Sequence, residues 1–350
     1  MKKTIFIILI ILLIFTIAFI IRIIVPEGKS TDDQISVSAS DQEPLKNFNV
    51  NQLSFSEWNS PDGLPYTQVP GANLGVTAFQ LINEEEIAFL CNSTSEIIIT
   101  KKSTGKLIRK WPVSFAPRDF IFEDNFYYVL SEYEVTVYDD KGREIRKLPF
   151  PSTVQGVERL SRYNDATWLL LPSGNSLLIE NYGKPVTPSE YPGTITGTGL
   201  FITTKITGYN SFSVKIESSK DKFPEKSFTT DKKVAGVFVT GATENRLVLD
   251  VQTYISENPI AVERSVTSVG LDKNGTGNII CSKKVPTGNY VISNRDFYVG
   301  PNGNIYNMMT SPLGVYVFSL SETEAGKARD YPSSLTESTF QSNEHLIKQD

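Results

Sequence analysis

Residues 117–147 read PRDFIFEDNFYYVLSEYEVTVYDDKGREIRK. Short runs rich in Phe, Tyr, Val and Ile are broken by Asp-Asn, by Ser-Glu and by Asp-Asp-Lys-Gly. Aromatic and β-branched residues suit a pleated, half-buried strand, and Asn, Asp and Gly suit the tight turns between strands. The stretch therefore predicts four short antiparallel strands. It also returns. Arg295-Asp296-Phe297-Tyr298-Val299, a turn at Gly303 and Asn304-Ile305-Tyr306 repeat the pattern of Arg118-Asp119-Phe120-Ile121-Phe122 and Phe126-Tyr127-Tyr128-Val129.

Working outward, similar first strands begin near Gly75, Gly156, Gly199 and Gly236, at intervals of about forty residues apart from a longer last one. Polar turns at Thr104-Gly105-Lys106, Lys141-Gly142-Arg143, Tyr182-Gly183-Lys184, Lys220-Asp221-Lys222 and Asn274-Gly275 keep the same beat. The first two are followed by near-copies, Leu107-Ile108-Arg109-Lys110-Trp111-Pro112 and Glu144-Ile145-Arg146-Lys147-Leu148-Pro149. A unit of about forty residues with four strands is the period of a propeller blade. No convincing long amphipathic helix interrupts the series. The expected fold is all-β, a six-bladed β-propeller over residues 48–320. The sixth unit has three strands, and Asn49–Trp58 is placed to supply the fourth and remove a loose sheet edge. Extra length around Tyr254–Arg264 predicts an excursion beyond the fifth blade. Residues 321–350 read as a polar tail.

The amino terminus is of another kind. Lys2 and Lys3 precede an apolar run from Ile5 to Ile21 that continues past Arg22 to Val25. At about 1.5 Å per helical residue that run matches a bilayer's hydrocarbon layer of roughly 30 Å. It is longer than a cleavable signal's apolar region, and Val25-Pro26-Glu27 offers no small-residue cleavage site. Residues 1–25 are therefore expected to form one transmembrane helix, an uncleaved signal anchor. Residues 26–47, rich in Ser, Asp, Glu and Gln, read as a flexible polar linker. The lysines stay inside by the positive-inside bias, which sends the carboxy-terminal domain outside the cytoplasm.

Composition narrows function. Of 350 residues, 40% are hydrophobic and 11% aromatic, enough for a sizeable core. The formal net charge is −5 and the anchor carries only basic residues, so the remainder is more acidic still. That balance excludes a nucleic-acid partner held by phosphate contacts. One His and two Cys leave no metal cage of the usual kind and no Ser-His-Asp mechanism, because His345 lies in the polar tail. Cys91 and Cys281 fall in blades separated by the sixth, which predicts two thiols rather than a disulfide.

The 117–147 unit and Pro301-Asn302-Gly303-Asn304-Ile305-Tyr306 resemble NHL-type repeats. That resemblance implies a six-bladed propeller of a superfamily whose members include protein- and RNA-binding modules, lactone hydrolases and extracytoplasmic bacterial proteins. It says little about activity.

Arg118-Asp119 and Arg295-Asp296 open the innermost strands, so they are expected near one mouth of the central channel. They read either as groups that grip a ligand, or as locks in which each Asp accepts backbone N–H bonds and each Arg pairs with an acid. Pro61-Asp62-Gly63 and Asn73 suggest hard oxygen ligands for a divalent ion. They fall before the first blade, however, and do not converge with the channel positions. The expectation is a membrane-anchored module that binds a protein or another cell-envelope component, with no catalytic residue, metal or cofactor assigned. A lactonase-like, metal-dependent hydrolase with its site in the channel is the alternative.

Overall fold

The computed structural model describes residues 47–323, apart from 158, 219–220, 273–274, 287–289 and 301, together with 328–333 and 335. The expected anchor, nearly all of the linker and His345 lie outside these residues. Among the described residues no helix is long and apolar enough to cross a membrane.

The chain begins with β1 (Asn47–Glu57) and a small hairpin of β2 (Thr67–Val69) and β3 (Ala72–Leu74). Blade 1 follows as β4 (Val76–Leu81), β5 (Glu86–Cys91), β6 (Glu96–Lys101) and β7 (Leu107–Pro112). Blade 2 is β8 (Asp119–Glu123), β9 (Phe126–Leu130), β10 (Glu134–Asp139) and β11 (Glu144–Pro149). Blade 3 is β12 (Arg159–Tyr163), β13 (Ala166–Leu170), β14 (Ser176–Asn181) and β15 (Lys184–Tyr191). Blade 4 is β16 (Thr194–Ile195), β17 (Phe201–Gly208), β18 (Ser211–Glu217) and β19 (Lys226–Thr229). Blade 5 is β20 (Val234–Thr243), β21 (Arg246–Glu257), β22 (Ile260–Asp272) and β23 (Gly275–Val285). Blade 6 contributes β24 (Phe297–Val299), β25 (Ile305–Thr310) and β26 (Gly314–Thr323). Each blade is a four-stranded antiparallel meander, and in blade 6 the fourth strand is β1, which pairs with β26 from Asn47↔Thr323 to Glu57↔Gly314. The fold is a six-bladed β-propeller.

Residue pattern explains the layering. Middle strands such as β9 and β10 are buried almost throughout, because neighbouring blades cover both faces. The near-copies β7 and β11 are outermost and exposed at alternate positions. Their Lys and Pro residues blunt an edge that could otherwise pair with another chain. Six apolar clusters fill the contacts between neighbouring blades, and one of them packs Phe79, Phe89 and Ile98 of blade 1 against Met308, Val315 and Val317 of blade 6. The contact between blades 3 and 4 is the leanest, built on Ala166, Trp168, Leu170 and Ile195.

Three details differ from the sequence reading. Gly199, expected to open a first strand, lies in the turn after the two-residue β16. The β2–β3 hairpin was not anticipated. Part of the expected polar tail is packed: Tyr331 and Leu335 are buried in the cluster of blades 5 and 6, and Arg329 O accepts a hydrogen bond from Val50 N on β1 at 3.1 Å. The excursion is present as the long β21–β22 hairpin. Cys91 lies on β5 and Cys281 on β23, both buried, with no disulfide between them.

Gly142 and Gly183 occupy matching turns between the third and fourth strands of blades 2 and 3, at φ of +78° and +70°. A Cβ on Gly142 would sit 2.3 Å from the ring of Trp111, whereas one on Gly183 would meet nothing within 4 Å. Gly183→Ala should cost about 1 kcal/mol through left-handed strain alone. Gly142→Ala should cost at least about 2 kcal/mol, because the Trp111 ring must also move. Urea unfolding of both variants checks the difference; equal losses would contradict this packing.

Candidate functional site

In each meander the first strand starts at the end of the sheet where the second ends and the third begins. That end of every blade belongs to one face of the disc, called here the top. Arg118, Asp119, Arg295 and Asp296 all lie there, at the starts of β8 and β24.

The structure joins them across the channel rather than along the chain. Asp119 is fully buried, and its Oδ2 accepts hydrogen bonds from Leu160 N of blade 3 at 2.8 Å and from Arg295 Nη2 of blade 6 at 2.5 Å. The same Arg295 nitrogen donates to Leu160 O at 2.7 Å. One guanidinium thus ties blades 2, 3 and 6. The Arg295 backbone N donates to Thr77 O of blade 1 at 3.1 Å, and Asn294 N donates to the same oxygen at 2.8 Å. Two buried atoms of the pair, Asp119 Oδ1 and Arg295 Nε, have no hydrogen-bond partner among the described residues.

Asp296 pairs elsewhere. Its carboxylate accepts from Arg264 at 2.5 and 3.2 Å, and Asp250 accepts from the same guanidinium at 2.8 Å. Burial by itself would push the Arg264 guanidinium down, but the charges and hydrogen bonds of Asp296 and Asp250 outweigh it and hold Arg264 above its usual value. Arg264 also lies over the Phe297 ring, 5.5 Å from its centroid. Arg118 behaves differently: among the described residues its side chain donates only to Val157 O, at 3.3 Å, while its own carbonyl accepts from Asn294 Nδ2 at 2.8 Å.

Cavities lie on both sides of Arg295. On the top side, one of about 440 Å³ is lined by Arg118, Gly156, Val157, Ser293 and Asn294. A second, of about 280 Å³, shares Ser293 and Asn294 and adds Arg159, Asp250, Arg264, Arg295, Asp296 and Phe238. At the opposite mouth a cavity of about 710 Å³ is bounded by Gln80, Glu123, Arg162, Glu244, Tyr298 and again Arg295.

A second ionic network stands beside that lower mouth. Arg162 is paired with Glu123 and, at 3.4 Å, with fully buried Glu180, and it lies 3.9 Å over the Tyr128 ring. Glu180 also holds Arg146 and accepts from Thr167 Oγ1 at 2.6 Å. The cluster links blades 2 and 3, although the buried Arg146 Nε has no hydrogen-bond partner among the described residues.

Among the described residues no group of three or more His, Cys, Asp or Glu is placed to hold a metal ion. Asp62 and Asn73 are used structurally. The Asp62 carboxylate lies 3.6 Å from Lys106 Nζ and its backbone O accepts from Leu107 N at 2.8 Å, while Asn73 bridges Tyr66 and Tyr290. Tyr66 and Tyr290 are stacked with their hydroxyls 2.9 Å apart, and burial together with that hydrogen bond pushes the Tyr66 phenol up to about 12.

Sequence reasoning missed Arg159, Asp250, Arg264 and the Arg162 cluster. A signal existed for Arg159, because three innermost strands carry an arginine at or just before their first residues: Arg118, Arg159 and Arg295.

No family model matches the chain, and no curated protein matches it significantly by sequence. Solved structures do resemble it in shape. The hydrazine synthase of Kuenenia stuttgartiensis is 13% identical over 77% of this chain and 76% of its own, at a TM-score of 0.42. The WD40 domain of Neurospora crassa Pan2 is 13% identical over 77% and 95%, at 0.49. BamB from Moraxella catarrhalis is 16% identical over 53% and 59%, at 0.33. At these identities and scores the likenesses carry nothing about activity.

Removing one partner of a buried ion pair strands the other and typically costs about 3–5 kcal/mol. Asp119→Ala should therefore lower unfolding stability by about that amount, and adding Arg295→Met should recover a substantial part of the loss. Equilibrium denaturation of the single and double variants measures it; additive losses would show that the two side chains do not act as a pair.

Proposed function

We propose that the protein is a binding and scaffold module that holds a protein partner on the top face of its propeller. The observation that carries this reading is where the exposed apolar side chains fall. Among the described residues, six large apolar or aromatic side chains are at least 68% exposed: Phe115 (88%), Ile260 (76%), Ile292 (75%), Tyr182 (72%), Tyr209 (70%) and Leu313 (68%). Five of them lie on the top face, in connections between blades or at turns between second and third strands. Only Tyr182 belongs to a turn between third and fourth strands. Apolar surface gathered on one face of a rigid disc is the raw material of an interface, and loops held by such a scaffold can vary without cost to the strand ladders.

The reading extends to β1 and to location. The ten-residue register between β1 and β26 supports a role for β1 as the strand that closes the ring. The apolar run from Ile5 to Ile21, with Lys2 and Lys3 before it, supports a single membrane anchor with the propeller outside the cytoplasm and a partner drawn from the cell envelope.

A photo-crosslinking residue placed at Phe115, Ile260, Leu313 or Tyr182 in intact cells tests the face. Defined protein adducts are expected from the first three positions and none from Tyr182; adducts from Tyr182 alone would contradict the assignment. Spheroplasts of the same cells, treated with external protease, should lose the propeller, and full protection would overturn the location.

A further inference from the structure

We propose that the top mouth of the channel takes up a carboxylate group of the protein partner, gripped by Arg118. This rests on the top face being the docking surface and supplies the chemistry of what docks there.

Charge is the first argument. In a chain of formal net charge −5, the cavity of about 440 Å³ has Arg118 as its one charged lining residue among the described residues. The cavity at the opposite mouth has acids among its lining residues, Glu123 and Glu244, beside Arg162 and Arg295. A positive opening in an acidic body selects an anionic group and steers it in.

The second argument is which arginine is open to it. Arg264 is held by Asp250 and Asp296, and Arg295 by Asp119. Arg118 has no carboxylate within 4.0 Å among the described residues, and its side chain donates one hydrogen bond, from Nη1 to Val157 O. A guanidinium carries five N–H donors in a planar fork that matches a carboxylate edge. Arg118 therefore lines its cavity of about 440 Å³ with most of that fork unused by the described residues.

The third argument is what surrounds it. Phe115 lies three residues before Arg118 in the same connection, and Ile292 directly precedes Ser293 and Asn294 of the cavity wall. Both are among the most exposed apolar side chains. The occupant that fits is an acidic group flanked by apolar residues: an Asp or Glu side chain within a segment, or the carboxylate at the end of a chain.

Short random peptides displayed in two formats, internal and with a free carboxy terminus, are to be selected on the full-length chain. Enriched peptides should pair an acid or a terminal carboxylate with a neighbouring apolar residue. Converting that acid to its amide should weaken binding by about tenfold or more, as should Arg118→Gln, whereas Tyr182→Ser should leave binding unchanged. Enrichment of acids in the internal format assigns a side chain; enrichment confined to the free-end format assigns the terminal carboxylate. The amide peptides test the inference on the unaltered protein, whatever Arg118→Gln does to folding. Peptides that lose binding on Phe115→Ser yet show no preference for an acid would overturn the carboxylate while leaving the top-face reading intact. Peptides lost only on Tyr182→Ser would overturn both.

Discussion

A ring of sheets has to bring the end of its chain back to its beginning, and here three sets of contacts run from the last blade to earlier parts of the chain. The β1–β26 ladder places the first strand on the outer edge of the last blade. An apolar cluster packs blade 6 on blade 1. Arg295 reaches over the channel from blade 6 to Asp119 and Leu160. The ladder occupies an edge that would otherwise be open for pairing with another chain. It also buries Phe48 and Val50, each of which contributes about 1.5–3 kcal/mol on leaving water. Residues 328–331 then cover the far side of β1, with Arg329 O accepting from Val50 N and Arg329 N donating to Asn49 Oδ1 at 2.9 Å.

The same join shapes the channel. Arg295 lines cavities on both sides, so one side chain of the join borders both mouths. The groups that hold the blades together also set the charge at each opening. Where an arginine is consumed by a structural carboxylate, as Arg264 and Arg295 are, its charge is spent on the fold. Arg118, held only through a backbone carbonyl, leaves charge at the surface. Neighbouring arginines at the top mouth thus differ in how far carboxylates of the fold engage them.

Much of this architecture was legible in the residues. The near-copies after Gly105 and Gly142 are outer edge strands, and their shared Lys and Pro residues mark a position in the blade as clearly as the aromatic runs mark its middle. The fourth blade was blurred because Thr194-Ile195 is too short to show a period, so the visible run at Phe201 was read as the first strand when it is the second. The tail was misjudged because isolated residues such as Tyr331 and Leu335 have no periodicity of their own; only the blades they pack against give them a partner. At the mouth, the Arg-Asp pairs stand at the starts of the innermost strands β8 and β24, where the sequence reading puts them. Their partners could not be read, because Asp119 meets Arg295 and Asp296 meets Arg264 only once the blades are arranged in a ring.

The dependence on the first strand can be measured directly by following backbone hydrogen exchange along β26 in two chains, one beginning at residue 47 and one at residue 58. The account predicts that the shorter chain loses protection along Gly314–Thr323, and that a synthetic peptide of residues 47–57 added in trans restores it. Equal protection of that strand in both chains, without the peptide, would contradict it.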